Sequence, residues 1–200
     1  MDATAVSLGF VMFVEPETRE GRALAERHRA QGLAAVDRAV IAAEMTELLD
    51  RFVARRSDEA MVESARGIIA RLTKGVEPSV VSDERVLRAM AWINTHLDQP
   101  LSLDAVAAQV FLSPGRFRHL FAEQVGMGLR SYVLWRRLAR IWELGMRDVS
   151  ISRAAHEAGF ADAAHLTRTS KRMIGLAPSM FRVSRTPGAR MQEQIRAAKP

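Results

Sequence analysis

Two short stretches hold the side chains best suited to grip a polyanion. SPGRFRHLF, Ser113 to Phe121, carries Arg116, Arg118 and His119, and ADAAHLTRTSKR, Ala161 to Arg172, carries His165, Thr167, Arg168, Lys171 and Arg172. Arginine's planar guanidinium pairs in two-pronged fashion with phosphate or with the edge of a guanine, threonine offers a hydroxyl or a methyl, and lysine is a point charge suited to phosphate. One exposed arginine is an ordinary solvated charge. Clusters in two separate stretches point to one extended anionic partner.

Other chemistries lack their residues. The chain has no cysteine, so it has no disulfide framework, thiolate nucleophile or Cys-based zinc site, and this fits a reducing cytosol. His28, His96, His119, His156 and His165 are scattered, with no HExxH and no Ser or Cys nucleophile motif. The GMG of VGMGLR lacks the third glycine and the preceding strand of a dinucleotide fingerprint, and reads as a helix C-terminal turn. No catalytic residue, metal site or cofactor is expected.

The charge balance agrees with the two clusters. Of 200 residues, 48% are hydrophobic and 26% charged, the balance of a globular chain. The formal net charge is +6, but residues 1–82 hold 11 Lys+Arg against 13 Asp+Glu, and residues 83–200 hold 18 against 10. A basic C-terminal part favours nucleic acid first and an anionic membrane surface second. LGFVMFV, Leu8 to Val14, is far below the roughly 20 residues of a membrane span, and Asp2 stands where a signal peptide is basic, so a cytoplasmic location is expected.

The elements that must position these side chains are helical. LGFVMFV reads as one buried strand and EPETREG as a turn, after which apolar residues recur at three-and-four spacing. Helices are expected over about Arg22 to Gln31, Val36 to Arg56, and from Ser57 through Leu72. The latter two form either a small helical layer or a dimer interface. From Asp83 seven helices follow, at about Asp83 to Leu97, Leu103 to Gln109, Pro114 to Val125, Leu129 to Met146, Ile151 to Ala158, Ala163 to Ile174, and a turn near Pro178 to Phe181. Ser102, Ser113, Ser150 and Asp162 are the expected N-caps, with Pro114 as a first helical residue.

An internal repeat sets the architecture. SLDAVAAQV (Ser102 to Val110) and SISRAAHEA (Ser150 to Ala158) match at an offset of 48, and Phe117, Gly126, Met127 and Tyr132 then pair with Leu166, Gly175, Leu176 and Phe181 at 49. Short helix, tight turn and longer helix thus occur twice, at about 102–126 and 150–175, joined by a helix at about 129–146. That connector is roughly 27 Å long at about 1.5 Å per residue, a length that suits two helices entering successive major-groove segments about 34 Å apart. Helical spacing puts Phe117, Leu120, Phe121 and Val125 inward, leaving Arg116, Arg118 and His119 outward. In the later helix Leu166, Met173 and Ile174 are the inward residues, and Ala164, His165, Thr167, Arg168, Lys171 and Arg172 point outward. Trp92, Trp135 and Trp142 sit on regular apolar stripes and read as core rather than base-stacking platforms.

HLDQPLSLDAVAAQVFLSPGRFRHLF, GLRSYVLWRRL and SISRAAHEAGFADAAHLTRTSKRMIGLAPSMFR together resemble the DNA-binding domain of the AraC/XylS family of bacterial transcription regulators, over about Asp83 to Arg182. The resemblance implies a mainly α chain with a tandem helix-turn-helix domain of about seven helices, reading DNA with the helices at 114–125 and 163–174. Base-reading positions fall by position on Gly115, Arg118, His119, Ala163, Ala164, Thr167 and Arg168. Backbone contacts fall on Ser113, Arg116, His165, Lys171 and Arg172. The family commonly has Arg where His119 stands, so this unit either reads a different base or contacts phosphate there. Ala163 and Ala164 offer only methyl contacts. Ser170 stands where the family usually has a buried Phe, and an exchange of that size costs about 3 kcal/mol unless neighbours repack, so a looser second unit is expected.

Implied partners are double-stranded promoter DNA and, in the family's manner, RNA polymerase. A homodimer or heterodimer would form through residues 36–72, a truncated regulator acting by heterodimerisation on a full-length relative being the alternative reading. No membrane is implied, and the expected location is cytoplasmic, with the nucleoid when DNA is bound. Residues 1–21 resemble the final strand and exit of a cupin-like sensor barrel that is otherwise missing, 22–82 a helical linker, and 183–200 a basic flexible tail.

Overall fold

The structure of the protein, a computed structural model, describes residues 12–27, 35–54, 56–77, 80–145 and 149–178. These form two compact units, one containing the described residues from 23 to 77 and the other residues 16–22 with the described residues from 80 to 178.

The first unit centres on a helical hairpin, α2 (Ala42–Val53) and α3 (Asp58–Leu72). Helix α1 (Arg19–Arg27) precedes it. Leu48, Ile68 and Ile69 are buried, and the other stripe residues of the pair, Met45, Leu49, Phe52, Met61 and Leu72, are half-buried. Ser57 caps α3, accepting from the Ala60 amide. The helix expected from Val36 instead begins as a 3-10 turn, Arg38–Ile41, because the Asp37 carboxylate accepts from the Ala39 amide two residues on and tightens the chain there. Val36, Val40 and Val62 stay exposed.

The expected strand at Leu8 to Val14 lies mostly outside the described residues. Its described part, Met12 to Val14, is not a strand. A lone strand has no ladder to join, which is the physical reason to withdraw that expectation there. The later part of Arg22 to Gln31 and the turn near Pro178 to Phe181 beyond Pro178 also lie outside the described residues.

In the second unit the expected helices form with small changes at their ends: α4 (Glu84–Thr95), α5 (Leu103–Gln109), α6 (Pro114–Val125), α7 (Leu129–Gly145), α8 (Ile151–Glu157) and α9 (Ala163–Ile174). Each of the four expected N-caps accepts from an amide in the first turn: Ser102 from Ala105, Ser113 from Arg116, Ser150 from Arg153, and Asp162 from His165. Helices α6 and α9 both end on a left-handed glycine, Gly126 and Gly175, whose amide closes the last turn.

Two cores hang on one helix. The N-terminal half of α7 gives Tyr132 and Val133 to a cluster with Val86, Ile93, Val106, Phe117 and Phe121. The C-terminal half gives Leu138, Ile141 and Leu144 to a second cluster with Ala154, Ala155, Phe160 and Leu166. The repeat is therefore physical as well as sequential: Phe117 and Leu166, paired at offset 49, are the fully buried anchors of α6 and α9.

The two tight turns share a backbone but not a residue type. Gly159 has φ +78°, and Phe111, its counterpart at offset 48, has φ +56°. A side chain in the left-handed region costs roughly 1–2 kcal/mol, and Phe111 recovers none of it by packing, being 91% exposed. Phe111→Gly should therefore stabilise the protein by about 0.5–1 kcal/mol, after allowing for glycine's greater unfolded entropy. The check is a urea midpoint that rises with unchanged slope; a lower midpoint refutes the strain.

Candidate nucleic-acid interface

The expected contact residues of α6 lie where helical spacing puts them. Ser113, Gly115, Arg116, Arg118 and His119 are exposed, while Phe117, Leu120, Phe121 and Val125 are buried. A side chain at Gly115 would meet open space, so its backbone is approachable from outside.

Helix α9 departs further from expectation. Ala164, Arg168, Lys171 and Arg172 are exposed, and Ala163 is half-buried. His165 does not simply point outward: it is half-buried, with its ring edge-on to Phe160 at 5.4 Å between centroids. Aromatic packing in the turn draws it in, which makes it a weaker contact than its place on the wheel suggests. Thr167 is also half-buried, and its hydroxyl donates to the Ala163 carbonyl at 2.8 Å. What it can offer a base is its methyl and the remaining acceptor capacity of its oxygen. Met173 and Ile174, expected inward, are half-buried, while Thr169 and Ser170 are the residues buried beside Leu166.

Ser170 is completely enclosed, and its hydroxyl donates to the Leu176 carbonyl at 2.7 Å. It ties the chain leaving Gly175 back onto α9. A buried hydroxyl with a partner avoids the desolvation cost of an unpaired one, so the second unit is held here by a hydrogen bond instead of an aromatic ring.

Between α6 and α9 lies a cleft of about 910 Å³. Leu101, Leu103, Leu129, Val133 and Leu134 contribute its apolar lining, and Arg118, Arg130, Arg137, Arg168 and Arg172 border it from three helices. Three other arginines of this unit sit with carboxylates: Arg85 with Asp83, Arg140 with Glu143, Arg153 with Glu157. The first of these holds the Asp83 carboxyl at about 2, chiefly through the hydrogen bond from the Arg85 side chain. Among the described residues Arg118, Arg130, Arg168 and Arg172 have no carboxylate partner.

Helix ends repeat the contrast. Helices α1 to α5 each carry an acid in the first turn, where it offsets the positive end of the dipole. Helices α6 to α9 carry none. Arg130 even places a cation in the first turn of α7, against the dipole by roughly 0.3–1 kcal/mol. The sequence does not single out Arg130, because the connecting helix reads as scaffold. The available signal was a basic residue directly after a GMG turn, where helix electrostatics disfavours it.

Two matched turn-and-helix units with unpaired cations on the longer helix of each are the arrangement on which comparison with known proteins bears. Residues 106–184 match a family of helix-turn-helix domains. The chain is 35% identical over 105 residues to the Arabinose operon regulatory protein of Escherichia coli K12, covering 50% of this chain and 35% of that protein. Over its C-terminal half the chain resembles regulators of the AraC/XylS family.

The chain is also 30% identical over 111 residues to the Regulatory protein PocR of Salmonella typhimurium, covering 55% of this chain and 36% of that one. The chain thus matches about a third of the length of each of these relatives. Among solved structures, an AraC-type transcriptional regulator from Chromobacterium violaceum gives a TM-score of 0.48 at 26% identity, over 52% of this chain and 96% of that one. Among the described residues of this chain no helix is long and apolar enough to cross a membrane, and no group of His, Cys, Asp and Glu is placed to hold a metal ion.

Proposed function

We propose that the chain is a sequence-specific DNA-binding transcriptional regulator. Helices α6 and α9 enter successive major-groove segments on one face of promoter DNA. Arg118 and His119 from the first, and Thr167 and Arg168 from the second, are the principal base readers. Gly115, Ala163 and Ala164 allow close approach or methyl contact, and Ser113, Arg116, Lys171 and Arg172 bind phosphate, with His165 in a lesser role. The observation that carries this reading is the set of unpaired arginines around the cleft between α6 and α9. A DNA strand crossing from one groove to the next covers that cleft, and Arg130 at the start of α7 meets its phosphates.

Gel-shift titration over a salt series tests the proposal. The native protein should prefer its target to a scrambled duplex at every salt; equal affinity for both throughout contradicts it. Arg130→Ala should weaken binding to target and scrambled DNA by the same factor and lower the salt slope by about 0.9, the yield of one phosphate contact. A loss confined to the target would make Arg130 a base reader instead.

The domain scheme of a sensor-like segment at 1–21, linker at 22–82, reader at 83–182 and tail at 183–200 belongs to the same proposal, as does contact with RNA polymerase. A second reading draws on the exposed valines Val36, Val40 and Val62 of the first unit. Pairing through residues 36–72, with itself or with a related regulator, would cover them. The solution mass of the intact chain across a concentration series decides: a monomer at all concentrations removes the homodimer.

A further inference from the structure

Arg137 stands midway along α7, between Val133, buried in the first core, and Leu138, buried in the second. Its guanidinium serves neither core. Nε donates to the Leu97 carbonyl at 2.9 Å and Nη2 to the Gln99 carbonyl at 2.8 Å, both on the chain between α4 and α5. From the other side comes Gly159, the left-handed residue of the turn between α8 and α9. A Cβ built there would lie 2.0 Å from the Leu97 oxygen and 2.9 Å from Nε and Nη2 of Arg137. Three segments far apart in the chain therefore meet at one point: the end of α4, the middle of α7, and the tight turn of the second unit.

At this point the two helix-turn-helix units are joined by more than the backbone of α7. Among the described residues the substantial helix packing is within the units: α4, α5 and α6 on one another, α8 on α9, with α7 touching α6, α8 and α9. Each core grips only its own half of α7. Without a further tie, each unit can rock about its half of a single helix. Arginine suits the tie because its rigid fork reaches two carbonyls at once, which a lysine's single ammonium does less well. Glycine suits it because only a residue without Cβ lets the turn close onto the Leu97 carbonyl. Burial pushes the Arg137 guanidinium below its usual range, opposed by the charge of Asp98, as expected of a cation held inside a joint.

We propose that Arg137, seated against Gly159, is a positioning residue that locks the two reading units in one mutual orientation. Its consequence for DNA, a single preferred spacing between the two contacted segments, rests on the proposed function. The lock itself does not.

The absence of cysteine gives a clean test of the lock. Cysteines at the exposed positions Ala108 in α5 and Ser152 in α8 take spin labels, and electron–electron double resonance reads the distance between the units. The native chain should give one narrow distribution, and Arg137→Ala one at least twice as wide with helix content retained by circular dichroism. Arg137→Lys should fall between them. A superimposable distribution in Arg137→Ala overturns the lock; if that variant fails to fold, an unchanged distribution in Arg137→Lys does so. A second arm measures binding to duplexes whose two contacted segments are moved apart base pair by base pair. The native protein should favour one spacing at least tenfold, and Arg137→Ala should flatten that preference. Broadened distances with a native spacing profile would uphold the lock and contradict two-segment reading.

Discussion

Arg168→Ala is expected to reduce the preference for target over scrambled DNA by roughly 5- to 150-fold, the worth of about 1–3 kcal/mol for one two-pronged base contact. Arg168 is exposed on α9, lines the cleft and has no carboxylate partner among the described residues, so its loss removes nothing from the folded core. Lys171→Ala, one turn further on, supplies the contrast. It should weaken binding to both duplexes alike and lower the salt slope by about 0.9. Titration of each variant against both duplexes at several salts separates the two roles. If Arg168→Ala behaves as Lys171→Ala does, Arg168 contacts phosphate and base reading by α9 falls on Thr167 and the methyls of Ala163 and Ala164.

Phe121→Ala should cost about 3–5 kcal/mol, the largest effect on stability expected in the chain. Phe121 is fully buried, 5.4 Å from the Phe117 ring and 5.3 Å edge-on from Tyr132, which are themselves fully buried. Truncation leaves a cavity lined by two large rings that cannot collapse without moving α7. Tyr132 is also fastened at its far end, where its hydroxyl donates to Glu17 at 3.0 Å, so it is poorly free to fill the gap. Urea unfolding followed by circular dichroism measures the loss. A cost below about 1 kcal/mol would mean the first core relaxes far more readily than its packing implies.

Local signals were legible in the sequence wherever a helix announces both of its ends. For α6 and α9 the cap, the first-turn composition and the terminal glycine lie within a few residues, and their boundaries follow directly. The amphipathic stripe of α6 is equally plain, and its four inward residues are the four that are buried. Helix α9 was harder because its buried face includes Thr169 and Ser170, whose polarity hides them from a hydrophobic period. Near Val36 the stripe continues through the helix start, but a competing Asp37 side-chain bond makes the first turn 3-10.

The remaining features are non-local. The Arg137 joint brings together residues 97, 137 and 159, which no window of sequence contains. Arg130 is an exception of a different kind, local in sequence but visible only to someone asking why a cation should stand at a helix's positive end. The candidate contacts on α6 needed little correction, whereas those on α9 did, because the Phe160 turn draws His165 inward and the helix backbone engages Thr167.

The central claim, that two matched units read two DNA segments, is tested most directly by selecting bound fragments from random DNA with the purified chain and sequencing them. The account predicts enrichment of a bipartite motif whose two parts are centred about one helical turn, roughly 10 base pairs, apart. No enriched motif, or one short element with no second part at fixed spacing, would contradict it.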